Sequence, residues 1–396
     1  MATILERLTG GIPNLPESRY VDNRIYTDPG IFEEERDRIF GRVWNFVCHE
    51  SEVRNPGDFR VVSVAGFPIL LSRDEEGVLR AFYNICRHRA APVVRQECGN
   101  AKAFQCFYHL WTFGLDGSLQ GVARPEGYEN TGFRKEDFPL LPVRLETVMG
   151  LVFVCLSEET ESLSEYLGEV VGTLEEPLAT EELEVFHYSQ AILKTNWKLW
   201  NDNNSESYHN LLHVLNRRTG ALNPETLARK WSYFPNGHAM QGQNGQFADY
   251  TAGNLDTRND HRFPGIAPNQ GMNANIFPDL LVLFRTDSLR MDRVVPLDPG
   301  RTLVEWRGFG LKSDTEEVRE LRIRHHNQYW GPAGRNLPED IMATETQWEN
   351  MNTGAIRYSI FAREEDFQAH DDENMRRYYQ QWGKLMGRSA AHPFGD

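Results

Sequence analysis

The spacing of two Cys–His pairs constrains this chain more than any other feature. The segment "CRHRAAPVVRQECGNAKAFQCFYH" puts Cys86 two residues before His88, and Cys106 three residues before His109. A structural zinc site usually draws each pair from one residue type, as in C-x2-C with H-x3-5-H. Here each half supplies one thiol and one imidazole. Mixed pairs suit a [2Fe–2S] cluster in which two thiolates hold one iron and two imidazoles hold the other. Neutral imidazoles in place of two thiolates lower the cluster's negative charge. They raise its potential to roughly −150 to +300 mV, against about −400 mV for plant-type ferredoxins. Such a centre carries single electrons and binds no substrate, so the rest of the chain must use what it delivers.

That remainder is large. At 396 residues the chain is long enough for two or three domains, or for one domain with a big insertion. A hydrophobic share of 40% with 11% aromatics supports a sizeable core. The net charge of −15 disfavours nucleic acid as a partner, because phosphate binding needs clustered Lys and Arg. Arg87, Arg89, Arg95 and Lys102 form a basic cluster beside the motif. They read as solvated loop charge or as a docking patch for an acidic electron donor. Cys48, Cys98 and Cys155 lie outside the motif and read as buried or inert thiols, with no disulfide scaffold. "MATILERLTG" carries charge where a signal peptide needs an apolar run, and "VMGLVFVCL" is about half of the ~20 residues a spanning helix requires. The expectation is a soluble cytoplasmic protein without a membrane partner.

"DPGIFEEERDRIF" predicts an amphipathic helix starting after Pro29. From Trp44 to about Leu156, short apolar runs split by turns predict a small antiparallel β domain. Further on, "EVFHYSQAILKTNWKLW" reads as a strand leading into a helix. "NIFPDLLVLFRTDSLRMDRVVPLDPGRTLVEWRGFGL" reads as three strands, and helices follow from Thr315, from about Pro338 and from Asp372. Strands in runs followed by helices indicate α+β. Residues 235–275, rich in Gly and Asn, allow no element and read as a functional loop, one that would cover an entrance, or as a mobile one.

A second metal motif sits in "NWKLWNDNNSESYHNLLH". His209 and His213 are four apart, so on a helix they share one face. A zinc protease would want Glu directly after the first His, where this chain has Asn210. Two histidines plus one carboxylate suit non-haem Fe(II), with positions left open for O2.

Taken together, the motifs resemble the large (α) subunit of Rieske non-haem iron aromatic-ring-hydroxylating oxygenases. Similar members are the benzoate, anthranilate and salicylate oxygenases and, more distantly, naphthalene dioxygenase. The resemblance runs from "RVWNFVCHESEV" through both motifs to the C-terminal helices. It implies an antiparallel-β Rieske domain over 41–156 inserted in a larger catalytic domain over 157–396, an antiparallel sheet flanked by helices. An N-terminal helical segment, 1–40, would pack on the latter. It also implies a terminal oxygenase using O2 and NAD(P)H-derived electrons from a separate reductase, often through a ferredoxin. The substrate would be an aromatic acid or amine of the benzoate, salicylate, anthranilate or aniline type. Oxidative N- or O-demethylation by the same machinery is the alternative within the class. Outside it stand a pure electron-transfer Rieske protein and a zinc-binding module.

The resemblance further implies site residues. "WGPAGRNLPEDIMATETQ" matches the family's third iron ligand, an aspartate followed five residues later by Glu, which makes Asp340 the candidate with Glu345 after it. Glu339 and Glu345 compete for that role. The family usually separates its two histidines by four residues, whereas "HNLLH" has three. The family's aspartate three before the first histidine is here Glu206. It would hydrogen-bond towards His109 of a neighbouring subunit, which requires a ring, a homotrimer or an α3β3 assembly. Asn203 matches an asparagine beside the iron; read from residues alone it is as well a turn or helix cap. Arg217 and Arg218 would pair with a substrate carboxylate or form a surface salt bridge. Some of Leu211, Leu212, Val214 and Leu215 would face the pocket and others the core.

Overall fold

The computed structural model describes residues 11–219, 228, 230–242, 261–267, 270–285, 287–364 and 370–395. Part of the Gly/Asn-rich stretch, 243–260 with 268 and 269, lies outside the described residues. The chain divides into two compact units. One is Phe40–Leu163; the other joins the described residues up to Ile39 with those from Ser164 onward.

The Phe40–Leu163 unit holds a seven-stranded antiparallel sheet and a separate three-stranded one. The large sheet runs in the order Asn45–His49, Leu151–Cys155, Pro142–Val148, Leu79–Tyr83, Phe67–Arg73, Asp58–Val64, Cys98–Asn100. The longest apolar run of the sequence ends in the fully buried strand Leu151–Cys155, which is paired on both edges. "DFRVVSVAGFPILLS" forms the hairpin Asp58–Val64 with Phe67–Arg73. Its two turn residues, Ala65 and Gly66, both have positive φ (50° and 79°), the backbone that matches the twist of paired strands. Cys48 and Cys155 are buried as expected, whereas Cys98 is exposed. It begins a short edge strand, which no further strand covers.

The second unit is built on another seven-stranded antiparallel sheet. Its order is Leu183–Leu193, Arg301–Leu311, Ser288–Asp298, Leu280–Arg285, Gly271–Ile276, Ala239–Gln241, Trp231–Tyr233. The strands Ser288–Asp298 and Arg301–Leu311 are joined by a turn at Pro299-Gly300, where the Gly300 N–H donates to Asp298 Oδ1 at 2.9 Å. Helix Trp197–Asn204 follows its strand after Asn196, whose side chain accepts from the Lys198 N–H. Glu316–His325 is capped in the same way by Thr315. Leu337–Asn352 and Glu373–Met386 complete the main helices, and strands run before helices as in an α+β fold. Among the described residues no helix is long and apolar enough to cross a membrane.

This unit buries charge as well as apolar surface. The helix Pro29–Glu35 begins at Asp28, whose side chain accepts from the Ile31 N–H, and ends on Glu35. Glu35 pairs with the fully buried Lys198 at 2.7 Å and accepts from the indole N–H groups of Trp197 (2.8 Å) and Trp382 (2.7 Å). Burial pulls the Lys198 ammonium's pKa down, and Glu35 opposes that pull. Removing one partner of such a pair leaves an uncompensated buried charge. Glu35→Ala is therefore expected to cost about 3–5 kcal/mol, read as a lowered urea midpoint; a midpoint equal to wild type would contradict it.

Candidate metal centres

The two halves of the Cys–His motif share one backbone design. The Cys86 carbonyl accepts the Ala90 N–H (3.0 Å), and the Cys86 N–H donates to the Ala91 carbonyl (2.8 Å). Cys106 does the same with Leu110 (3.0 Å) and Trp111 (2.9 Å). Ala90 and Leu110 both sit at positive φ, 59° and 58°. Neither is glycine, so each loop is held in an uncommon conformation by its surroundings. The histidine falls two residues after cysteine in one loop and three in the other, yet the loops bring the two rings together at 4.6 Å between centroids.

These four residues fit a [2Fe–2S] cluster. Cys86 and Cys106 are buried. Burial pushes the Cys86 thiol pKa up, and the neighbouring Cys106 adds to it, against the pull of the His88 backbone N–H. A metal is what turns such buried thiols into thiolates. Burial, with His109 alongside, pulls the His88 pKa down and keeps the ring neutral, the form a ligand needs. His88 Nδ1 is buried with no hydrogen-bond partner among the described residues, as befits a metal ligand. The His88 ring stacks on Trp111 at 5.0 Å and 9°. Outside this core, Phe107, Tyr108 and Leu110 leave about half of their surface exposed around His109.

In the other unit, His209 and His213 converge, though without a regular helix. His209 lies in the 3-10 turn Tyr208–Leu211, and His213 precedes the short helix Val214–Thr219. The cause is Glu206. Its carboxylate accepts the backbone N–H groups of Tyr208 and His209 (3.1 Å for the latter) and so closes a turn after the helix Trp197–Asn204. The same carboxylate takes His209 Nδ1 at 2.8 Å. Arg217 donates to the carbonyls of Leu211 and of Leu212 (3.0 Å) and braces the turn from its far end.

Asp340, in the first turn of Leu337–Asn352, completes the set. Its Oδ1 lies 3.7 Å from His209 Nε2 and 3.4 Å from His213 Nε2. One ligand atom from each of the three residues falls within 4.8 Å of the others, so the set can hold one ion. Glu339 points elsewhere and takes His213 Nδ1 at 2.8 Å. Each histidine thus gives its Nδ1 to a carboxylate and leaves the Nε2 lone pair facing Asp340, the tautomer that a metal requires. Glu345 accepts from the Lys194 backbone N–H at 2.9 Å. Asn203 Nδ2 reaches Asp340 Oδ1 at 3.2 Å. Burial pushes the Glu206 pKa up, but His209 and Arg363 outweigh it and hold it below the usual range.

Sequence reasoning missed the part Glu339 plays, because the residue was weighed as a rival ligand and not as a support. Outer carboxylates of this kind are worth about 10–100-fold in metal affinity. Glu339→Gln is expected to weaken iron retention by about that factor, measured by competition with a chelator. Unchanged retention would show that His213 needs no such anchor.

His209, His213 and Asp340 line a cavity whose other walls are mostly polar, with Asn216, Asn336, Arg285 and Arg290 among them. Arg217 and Arg218 do not line it and are exposed, which favours the surface reading of the pair over contact with substrate. Their helix turns away because its buried face, at Leu215, packs on Tyr329 and Trp330. Leu211 and Val214 are exposed, and the apolar lining comes from Leu283 and Leu337. Asn203, Glu206 and His209 also border a second depression, lined by Tyr26, Tyr208, Phe361 and Arg363.

Comparison with known proteins gives two family matches. The Rieske [2Fe-2S] domain matches residues 43–131, and the catalytic domain of the ring hydroxylating alpha subunit matches residues 180–381. The chain is 41% identical to 2-aminobenzenesulfonate 2,3-dioxygenase subunit alpha of Alcaligenes sp, over 95% of this chain and 96% of that one. It is 39% identical to methanesulfonate monooxygenase hydroxylase subunit alpha of Methylosulfonomonas methylovora, over 96% and 94%. The crystal structure of naphthalene 1,2-dioxygenase from Rhodococcus sp. bound to indole shares the fold, with a TM-score of 0.82, 24% identity and coverage of 92% and 94%.

Proposed function

Because the chain belongs to the Rieske-type ring-hydroxylating oxygenase alpha subunits, we propose that it hydroxylates an aromatic ring bearing an acid group, with a sulfonate as the favoured acid. Its cofactors are a Rieske [2Fe–2S] cluster and a mononuclear iron. The cluster supplies single electrons, and the iron supplies a binding place for O2. In this reading Cys86, His88, Cys106 and His109 hold the cluster, and His209, His213 and Asp340 hold the iron. The observation that carries it is the convergence of those three side chains with both imidazole Nδ1 atoms already taken by carboxylates. Glu206 and Glu339 fix ring orientation, and the Asn203 amide steadies Asp340.

The acid group follows from the relatives, since the two at about 40% identity are both named for a sulfonate substrate. One of those names is aliphatic, which favours as second reading the oxidation of an alkanesulfonate. Electrons reach the cluster from an NAD(P)H-linked reductase, directly or through a ferredoxin, in the cytoplasm. The working assembly is a homotrimer or α3β3 ring. The exposed Phe107, Tyr108 and Leu110 of one copy dock beside Glu206 of the next, which bridges to His109 of the first copy.

The test is O2 uptake by holoenzyme with a surrogate reductase, over a panel of arenesulfonates, benzoates, anilines and alkanesulfonates. Uptake matched by a hydroxylated arene supports the proposal. Product from alkanesulfonates alone would replace it with the second reading, and formaldehyde release from N- or O-methyl compounds alone would make the protein a demethylase.

A further inference from the structure

One residue before Asn203, whose amide reaches Asp340, a buried ring of three oxygen-bearing side chains begins. Asp202, in the helix Trp197–Asn204, meets Tyr26 of the helix Arg24–Thr27 and Tyr379 of the helix Glu373–Met386. The Tyr26 hydroxyl lies 2.8 Å from Asp202 Oδ2. The Tyr379 hydroxyl lies 3.0 Å from Oδ1 and 2.8 Å from Oδ2. The two hydroxyls are themselves 2.8 Å apart. All three residues are more than nine-tenths buried.

These distances fix the protonation of the ring. Each of the three residue pairs is at hydrogen-bond distance, so each needs a proton between its oxygens. Burial pushes the pKa values of Tyr26 and Tyr379 well above the ordinary range, so both are neutral phenols with one proton each. Were Asp202 ionised, both would point at it, and the two phenol oxygens would face each other with no proton between them. With Asp202 as a carboxylic acid the ring closes. Asp202 Oδ1 donates to Tyr379, Tyr379 to Tyr26, and Tyr26 to Asp202 Oδ2. Burial pushes the Asp202 pKa up to about 7; Tyr26, Tyr379 and Lys198 pull against it, and Glu206 adds to the rise. The Lys198 charge is already taken by Glu35 at 2.7 Å. Tyr378, on the same helix as Tyr379, accepts from the Asn201 amide at 3.3 Å.

We infer that Asp202 is a proton reserve for the hydroxylation, held as a neutral acid by Tyr26 and Tyr379 and drawn on at the Glu206 side of the iron site. The inference rests on the oxygenase reading of that site and adds its source of protons. Whether one atom of O2 enters an arene and the other leaves as water, or both enter, two electrons and two protons are consumed. The reductase supplies the electrons. Asp202 and Tyr26 line the second depression together with Asn203, Glu206 and His209. Its volume of about 670 Å³ holds a chain of waters at ~30 Å³ each. A proton leaves the acid by that way, both phenols turn to the carboxylate that remains, and solvent restores the proton.

The experiment records infrared spectra of the holoenzyme in the carbonyl region of protonated carboxylic acids, beside single-turnover rates. Wild type is expected to show a band that fades as pH rises through about 7 and that Asp202→Asn lacks. Asparagine closes the same ring, its amide N–H donating where the acid O–H did. A carboxyl raised in the folded state loses stability as pH climbs from the unfolded carboxyl range to 7, and asparagine has no such loss. Asp202→Asn should therefore keep its iron, its cluster spectrum and a urea midpoint no lower than wild type. Its single-turnover rate should be about 100-fold lower, and flat over the range where wild type slows with rising pH. Tyr379→Phe removes the phenol that the acid donates to. It should move the band and keep it, and it carries the test if Asp202→Asn does not fold. A spectrum below pH 7 that neither variant changes would show Asp202 ionised and overturn the inference. The wild-type rate and pH profile in Asp202→Asn would overturn the reserve and leave the oxygenase reading standing. If the band behaves as expected but no compound elicits O2 uptake, the oxygenase reading fails and takes the reserve with it, while the neutral acid stands.

Discussion

Asp340→Ala is expected to lower the iron content from about three to about two per chain while leaving about two acid-labile sulfides and the cluster's colour intact. Turnover should fall by at least about a thousandfold, because O2 then has no metal to bind. The prediction follows from geometry: Asp340 Oδ1 is the carboxylate oxygen that faces both Nε2 atoms. Glu345→Ala is the control. Glu345 accepts from the Lys194 N–H, away from both histidines, and the variant should keep all its iron. Iron lost from Glu345→Ala and kept in Asp340→Ala would reverse the assignment.

Glu206→Gln should retain the cluster and, with iron supplied in excess of any loss of affinity such as Glu339→Gln brings, the mononuclear iron, and still reduce turnover by about 100-fold or more. The carboxylate has three local acceptor duties, to His209 Nδ1 and to the backbone N–H groups of Tyr208 and His209. Glutamine keeps one acceptor oxygen and removes the charge. Its effect should therefore fall on electron arrival and not on folding. Stopped-flow spectra would show a cluster that reduces normally and reoxidises slowly when substrate and O2 are added. Normal reoxidation in the variant would exclude Glu206 from the route.

The Cys–His motif was legible because all its ligands fall within one short segment, and neither zinc nor disulfide chemistry wants that mixture. Asp340 was found by family pattern alone; nothing local separates it from Glu339 and Glu345. Its neighbour's job, orienting His213, exists only once the helix Leu337–Asn352 meets the turn before Val214. The histidine pair was found for a partly mistaken reason. Four-residue spacing on a helix would put both rings on one face, whereas Glu206 breaks the helix and the rings converge from two successive turns. Arg217 and Arg218 drew attention by lying close in sequence to His213. Buried charge in the sheet is as hard to read from sequence: Arg293 meets Glu305 across two strands at 3.4 Å, and Glu305 takes Arg307 of its own strand at 3.1 Å.

A single turnover is the most direct trial of the two-centre scheme. Holoenzyme is reduced without oxygen, freed of reductant, and mixed with O2 and an arenesulfonate while product and the EPR signal of the reduced cluster are followed together. The scheme requires hydroxylated product to appear as the cluster signal disappears, with product limited by the iron bound at His209, His213 and Asp340. Product forming while the cluster stays reduced would show that the mononuclear site does not draw on it, and the scheme would be wrong.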